Sequence, residues 1–100
     1  MIVRTNVHTF DWDEGNRAKC QKHGLSISDV EYALIHGAKV APDIDHSQDE
    51  QRFLAIGRVV SGRPVFIVFC WRGSAIRPIS ARYMHAREVA RYETSTQDDN

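Results

Sequence analysis

Cysteine is scarce in this chain: there are two cysteines in 100 residues, and they form no Cys-x-x-Cys pair. This spacing gives no support for a disulfide or a zinc site, and His46 with its aspartate neighbours matches no dedicated metal motif. We therefore expect no metal and no other cofactor. Long apolar runs are absent too, since the longest, Val65–Trp71, has seven residues where a membrane-spanning helix needs about 20. With no signal-peptide pattern at the N-terminus, the sequence predicts a cytoplasmic protein without membrane contact.

The chain also lacks net charge, because 13 basic and 13 acidic residues cancel. The total charge therefore predicts no polyanionic partner. The charges are nevertheless divided: residues 1–50 have 5 Lys or Arg against 9 Asp or Glu, and residues 51–100 have 8 against 4. From Arg52 to Arg91 every basic residue is an arginine, and Glu88 is the one acid. This division predicts an acidic surface and a basic surface on one small body.

No repeat, low-complexity block or linker divides the chain, so the sequence predicts one domain over residues 1–93 and a polar, disordered tail over residues 94–100. Its elements are expected to form an α+β domain, an antiparallel sheet of four to five strands with two N-terminal helices and one C-terminal helix. Hydrophobic periodicity and turn residues predict strands within 2–10 and over 39–41, 53–60, 65–71 and 75–82. They also predict a helix capped by Asp11 or Asp13 that ends at Gly24, a helix from the Ser28–Glu31 capping box to Gly37, and a helix over 85–93.

The apolar run Val65–Trp71 is expected at the centre of the sheet, with both of its faces covered. The next strand contains Pro78, which cannot donate to a strand ladder and therefore marks an edge or a bulge. Because side chains alternate along a strand, Arg77 and Arg82 are expected on opposite faces unless Pro78 introduces a bulge. The sequence leaves both arrangements open.

The arginines of the second half are candidates for RNA binding. A guanidinium is planar and permanently charged, and it binds phosphate oxygens through two parallel hydrogen bonds, whereas lysine acts as a point charge. Arginines on three consecutive strands therefore indicate an RNA-phosphate surface, with Arg58, Arg72 and Arg77 as phosphate-binding candidates. The alternative is that these arginines only keep the solvent face of the sheet soluble and its edges protected.

Two short segments carry titratable groups. His23 follows Lys22 at a helix end, where the carbonyl dipole favours an imidazolium, so His23 is either a helix cap or a proton donor to a leaving alkoxide. Glu50 and Arg52 stand two residues apart on one face of a strand. They form either a structural ion pair or a general base held beside a phosphate-binding arginine.

Several fragments of the chain occur together in an order and spacing that resemble one known family. These fragments are Phe10-Asp11-Trp12-Asp13, Asn16, Lys22-His23-Gly24, His46-Ser47, Glu50–Gly57, Ile79-Ser80-Ala81-Arg82, Glu88 and Tyr92-Glu93. Together they resemble the BrnT family, the ribonuclease toxins of bacterial type II toxin–antitoxin systems. The departures from the family pattern are small: Met84 and His85 replace smaller residues, and Pro78 interrupts the last strand.

The resemblance implies a RelE-like fold and a metal-independent endoribonuclease that inhibits translation. It implies as partners an RNA substrate and a BrnA-like antitoxin with a ribbon-helix-helix DNA-binding part, so that DNA is contacted only through the antitoxin. In the absence of a metal, the RNA 2′-hydroxyl is the nucleophile and the product is a 2′,3′-cyclic phosphate. The catalytic candidates are Lys22, His23, Glu50, Arg52 and Arg82.

A non-catalytic module is the alternative interpretation. It would be an RNA-binding domain, or a degenerate toxin that binds its antitoxin and acts in operon repression without cutting RNA. The combination of Lys22 and His23 with Glu50 favours the enzyme, because a protein that only binds RNA needs arginines but no titratable set.

Overall fold

The structure, a computed structural model, describes residues 9–44 and 49–91. The predicted strand within 2–10 is seen at Thr9–Phe10, while His46, Tyr92-Glu93 and the predicted tail lie outside the described residues. In the described part of the chain, no helix is long and apolar enough to cross a membrane. The elements are β1 (Thr9–Phe10), α1 (Glu14–Gln21), α2 (Ile27–Ile35), β2 (Lys39–Asp43), β3 (Arg52–Arg58), β4 (Pro64–Arg72), β5 (Ala75–Tyr83) and α3 (86–91).

The five strands form one sheet in the order β1-β5-β4-β3-β2. Neighbours from β2 to β5 are antiparallel, but Thr9 and Phe10 of β1 pair in parallel with Ala75 and Ile76 of β5. The α+β class with three helices is confirmed. The prediction of a purely antiparallel sheet is wrong, because the sheet is mixed at this edge. A two-residue strand has too little side-chain pattern to indicate a partner so far along the chain.

Helix α1 begins at a reciprocal cap. The Asp13 carboxylate accepts from the Asn16 backbone N–H at 3.0 Å, and the Asn16 side-chain oxygen accepts from the Asp13 N–H at 2.7 Å. Of the two predicted caps, Asp11 and Asp13, the structure selects Asp13. The buried Asn16 amide also donates to the carbonyls of Asp11 at 2.9 Å and of Pro78 at 2.8 Å. This side chain thus ties α1 to β5.

Helix α2 begins earlier than predicted. Its N-cap is Ser26, whose hydroxyl accepts from the Asp29 N–H at 3.0 Å while the Asp29 carboxylate accepts from the Ser26 N–H at 2.9 Å. The predicted box Ser28–Glu31 is therefore shifted by two residues. The end before Gly37 is confirmed, and Gly37 has a φ of +81°, a left-handed conformation that suits glycine after a helix.

One face of the sheet packs against α2 and forms the core. The approach is closest at Gly57 of β3, where an added Cβ would lie 2.8 Å from the backbone oxygen of Ala33. Only a residue without a side chain fits between this strand and the helix. The fully buried side chains of the core include Cys20, Leu25, Val30, Ala33, Leu34, Ala55, Val65, Ile67, Phe69 and Ile76.

The opposite face of the sheet is only partly covered. Strand β4 is central, as predicted, but Phe66 and Val68 stay partly exposed on this open face, as do Leu54 and Ile56 of β3. The expectation that both faces of the central strand are covered is therefore wrong. The run Val65–Trp71 has apolar side chains on both faces, and this pattern predicted burial on both sides. The side chains on the open face nevertheless lie at the surface.

A bulge in β5 decides where its arginines point. Ser80 and Pro78 pair with consecutive residues of β4, so Ile79 is an extra residue in its strand. The extra residue shifts the alternation by one position, and Arg77 and Arg82 consequently lie on the same face, the open one. The arrangement with a bulge, left open by the sequence, is the one the structure shows.

We predict that Gly57→Ala destabilises the domain by about 1–3 kcal/mol, because the new methyl group would collide with the Ala33 backbone oxygen. Thermal unfolding measures the loss as a drop in Tm of several degrees. The control is Val60→Ala at an exposed turn position, which should change stability by less than about 0.5 kcal/mol. Equal melting curves for Gly57→Ala and the wild type would contradict the packing described.

Candidate active site

An open cavity of about 380 Å³ lies on the open face, at the end of the sheet where β3 begins and β4 ends. We call it the arginine cavity. Helix α1 forms one wall, and β3, β4 and β5 supply the others. The residues that line it are Gly15, Asn16, Lys19, Glu50, Arg52, Cys70, Arg72, Arg77 and Ile79. Four of the eight predicted site residues, Glu50, Arg52, Arg72 and Arg77, are thus brought together.

Strand register explains this convergence. Cys70 of β4 pairs with Arg77 of β5, and Arg72 follows Cys70 by two residues, so the three side chains share one face. Arg52 enters from the start of β3 on the same face. Three neighbouring strands, which lie about 4.8 Å apart, therefore each place one arginine around a single opening.

Glu50 pairs with Arg72, whose Nη1 donates to the Glu50 carboxylate. The sequence suggested a pair with Arg52, two residues away, and the structure shows a pair with Arg72 on the neighbouring strand. Both side chains are nearly half exposed, 41% for Glu50 and 46% for Arg72. An ion pair with this exposure contributes about 0–1 kcal/mol, so the carboxylate can exchange Arg72 for another partner at little cost.

Arg77 is held by two acids at the start of α1. Its Nη2 donates to the Asp13 carboxylate at 2.8 Å, and its Nη1 lies 3.5 Å from the Asp11 carboxylate. The backbone N–H of Asn16 and then the Arg77 guanidinium lower the pKa of Asp13, and the bond to Asp13 raises the pKa of Arg77. Sequence reasoning missed Asp11 and Asp13 as site residues, because no spacing connects them to an arginine 64 residues further on.

Lys19 is the third residue that sequence reasoning missed. It enters the cavity from α1 and forms no ion pair with any described residue. The signal was in the sequence, because Lys19 precedes Lys22 and His23 by three and four residues, the spacing that places side chains on one side of a helix. The ammonium group supplies a cation that no acid within residues 9–44 and 49–91 neutralises.

The remaining predicted residues lie outside the arginine cavity. Lys22 is the C-terminal cap of α1 and His23 follows it, and both are exposed. Arg58 stands at the opposite end of β3, where its Nη1 donates to the Gly62 carbonyl at 2.7 Å. None of the three lines the arginine cavity.

Arg82 lies on the open face but is engaged by α3. Its two terminal nitrogens donate to the two carboxylate oxygens of Glu88, each at 2.7 Å, and its guanidinium stands 5.0 Å from the Phe66 ring centroid. Glu88 also accepts from the His85 backbone N–H at 2.9 Å. The bond to Arg82, then that to His85, lowers the pKa of Glu88 to about 2. Arg82 therefore anchors α3 to the sheet.

Cys70 forms part of the cavity floor. It is 1% exposed and is a free cysteine, as is Cys20. Burial raises the pKa of Cys70, an effect that the nearby arginines Arg77 and Arg52 only partly offset. The thiol is thus kept protonated at neutral pH and is not a nucleophile.

Within residues 9–44 and 49–91, no group of three His, Cys, Asp or Glu side chains is placed to hold a metal ion. His46, which the sequence analysis considered as a ligand, lies outside these residues. The absence of a metal stays a prediction.

Comparison with known proteins decides the family. The family model described as the ribonuclease toxin BrnT of type II toxin–antitoxin systems matches residues 12–88. The chain belongs to the BrnT family. The crystal structure of the Brucella abortus ribonuclease toxin BrnT is similar, with 32% sequence identity, a TM-score of 0.59, and coverage of 79% of this chain and 99% of that chain. A comparison with curated proteins gave no match.

The BrnT match includes the whole candidate site. Residues 12–88 contain every residue that lines the arginine cavity as well as the Arg82–Glu88 pair. The resemblance stated from the sequence fragments is thereby confirmed, and the family name supports ribonuclease activity at a general level.

We predict that Glu88→Gln lowers stability at pH 7, and that the difference from the wild type shrinks as the pH falls from 4.5 towards 2. The folded-state pKa of Glu88 is about 2, against 4.5 for a free glutamate, so its stabilising contribution is present above 4.5 and is lost as protons bind. Urea unfolding at several pH values measures the difference.

The control for this prediction is Arg82→Gln, alone and combined with Glu88→Gln. If the two side chains act as a pair, the double variant loses much less stability than the sum of the two single losses. A loss in Glu88→Gln that is the same at pH 7 and pH 3 would contradict the assignment.

Proposed function

We propose that this BrnT family member is a metal-independent endoribonuclease whose reaction takes place in the arginine cavity. The observation that carries the proposal is the convergence of Arg52, Arg72, Arg77 and Lys19 with one carboxylate, Glu50, on an opening in the sheet face. Asp13 and Asp11 partly neutralise Arg77, and the remaining excess of positive charge favours an RNA phosphate and the additional negative charge that develops on it during cleavage.

Arg77 suits a pentacoordinate phosphate because it is fixed before the substrate arrives. Asp13 and Asp11 hold Arg77 from one side, and Asp13 is itself fixed as the cap of α1. Donors that are already oriented need no reorganisation at the moment of reaction, and this is what makes such groups effective. Lys19, without an ion pair among the described residues, adds a point charge next to them.

In the proposed reaction the RNA 2′-hydroxyl attacks the adjacent phosphorus. Glu50 accepts the proton of this hydroxyl as the general base while the bond from the 2′-oxygen to phosphorus forms. The bond from phosphorus to the 5′-oxygen breaks, and His23 donates a proton to this leaving oxygen. The products are a 2′,3′-cyclic phosphate and a 5′-hydroxyl. His23 follows the C-terminal cap of α1 and does not line the cavity, so this role requires that the bound RNA bring the leaving oxygen to its imidazole.

The other predicted residues take positions along the RNA. Lys22 and Arg58 are proposed to contact phosphates outside the arginine cavity, at the end of α1 and at the far end of β3. Arg82 can contribute to cleavage only where a phosphate replaces Glu88, because both of its terminal nitrogens bond that acid. A catalytic role for Arg82 stays a prediction with this condition attached.

The family implies an antitoxin partner. We propose that this partner is a BrnA-like protein with a ribbon-helix-helix part, that it contacts DNA on behalf of the complex, and that the free toxin inhibits translation in the cytoplasm by cutting RNA. The likeness to RelE-type toxins belongs to the same set of proposals.

A non-catalytic module is the second candidate, and one observation favours it. Three arginines of the basic half are already paired with acids: Arg72 with Glu50, Arg77 with Asp13, and Arg82 with Glu88. Pairs of this kind can be structural. This candidate predicts RNA or antitoxin binding without strand scission, so product analysis separates it from the enzyme.

We predict that Arg52→Gln lowers kcat/KM for RNA cleavage about 10²-fold or more in a protein that stays folded, because it removes a charge-stabilising donor from the cavity. The matched control is Arg87→Gln. It removes an exposed arginine of α3 that lines neither the arginine cavity nor the second cavity beside it on the open face. A loss of activity that is equal in the two variants would show that general positive charge, not the cavity, supports cleavage.

We also predict that the wild-type protein cleaves single-stranded RNA in the presence of EDTA and leaves 2′,3′-cyclic phosphate ends. Mass spectrometry of the fragments identifies the ends, and a parallel reaction with added magnesium serves as the control. Activity abolished by EDTA and restored by a divalent cation would overturn the metal-independent mechanism, and intact RNA under all conditions would favour the non-catalytic module.

A further inference from the structure

A second open cavity, of about 420 Å³, adjoins the arginine cavity on the open face. The two cavities share three lining residues, Lys19, Arg52 and Ile79, so they are continuous. The second one differs in character, because its floor is apolar, and we call it the apolar cavity. It is lined by Lys19, Asp43, Arg52, Leu54, Phe66, Val68, Ile79 and Ser80.

The floor of the apolar cavity is built by register. Leu54 of β3, Val68 of β4 and Ser80 of β5 pair across the sheet in one row, and Phe66 lies two residues from Val68 on the same face. All four side chains are partly exposed. The Arg82 guanidinium, fixed by Glu88, stands over the Phe66 ring, 5.0 Å from its centroid.

The occupant must have an anion next to a flat apolar group. Lys19, which forms no ion pair with a described residue, stands at the boundary between the two cavities, and a purely apolar occupant would take its ammonium group out of water without neutralising it. A nucleotide meets both demands, because its phosphate carries the charge and the faces of its base are apolar. The Ser80 hydroxyl, a polar group of the lining, suits the polar edge of a base.

We propose that the apolar cavity is a nucleobase subsite, which binds the base of a nucleotide next to the scissile phosphate in single-stranded RNA. The inference rests on the proposed function, since it takes the scissile phosphate to lie in the arginine cavity. It adds that the protein selects its cleavage position through contacts with one base, and that these contacts are mainly with Leu54, Val68 and Phe66. Unstacked bases are available in single strands but not inside a duplex.

The first test uses the wild-type protein and short single-stranded RNAs with one mapped cleavage position. In two further substrates an abasic ribonucleotide, which keeps its sugar and 2′-hydroxyl, replaces the nucleotide on either side of the cut. We expect one of the two replacements to lower kcat/KM about tenfold or more, as the loss of a base contact does. If neither replacement changes kcat/KM, the nucleobase subsite is wrong although cleavage itself stands.

The second test fills the cavity with Ser80→Phe. This variant should cleave intact RNA about tenfold or more slowly than the wild type, and it should be insensitive to the abasic replacement that slows the wild type. The matched control, Val60→Ala, changes an exposed apolar residue in the β3–β4 turn and should keep both the rate and the sensitivity. Should Ser80→Phe fail to fold, as judged by circular dichroism, the comparison of substrates with the wild type decides alone.

Two further outcomes would overturn the nucleobase subsite for different reasons. If Ser80→Phe retains the wild-type rate and sensitivity to the abasic nucleotide but loses affinity for the antitoxin, the apolar cavity is a protein-binding surface and the proposal is overturned. If the wild-type protein cleaves no RNA at all, the proposed function fails, and the subsite falls with it.

Discussion

The amide of Asn16 is the contact on which the arrangement of the site depends. It is 4% exposed, and it connects the carbonyl before α1 with that of Pro78 in β5, while its oxygen completes the cap of the helix. A buried amide left without these partners would cost about 1–3 kcal/mol, so the helix has one stable position against the strand. That position determines where Lys19 enters the cavity and where Asp13 meets Arg77.

The bulge at Ile79 is the second contribution to the arrangement of the site, because it sets the face on which the arginines of β5 lie. Without the extra residue, Arg77 and Arg82 would point to opposite faces of β5, and one of them would have to enter the core or displace it. With it, the open face gains both cations and the core face keeps Ile76, Pro78 and Ala81. The bulge also leaves Ile79 in the boundary between the arginine and apolar cavities. Bulges next to functional sites commonly redirect a side chain in this way.

Local signals in the sequence were sufficient for much of this structure. Capping residues, glycines after helices and the apolar run predicted two helices and the central strand, because these features depend on neighbours in the chain. The chemistry of the guanidinium was sufficient to select Arg52, Arg72 and Arg77 as candidate site residues. Pairings between distant segments were not predictable. The parallel pairing of β1 with β5 and the ion pair of Asp13 with Arg77 join residues more than 60 positions apart. Arg82 shows a further limit, because its residue type indicates a phosphate contact whereas its partner in the fold is Glu88.

The edges of the sheet determine how readily a second copy of the protein can add a strand to it. At one edge, β2 contains Pro42, which offers no N–H to an incoming strand, and the exposed Lys39. At the other, α1 lies against β5 beyond the described part of β1, Thr9–Phe10. Edges that are interrupted by proline or covered by a helix are poor templates for strand addition. The sheet can therefore leave an apolar face open without inviting growth into filaments.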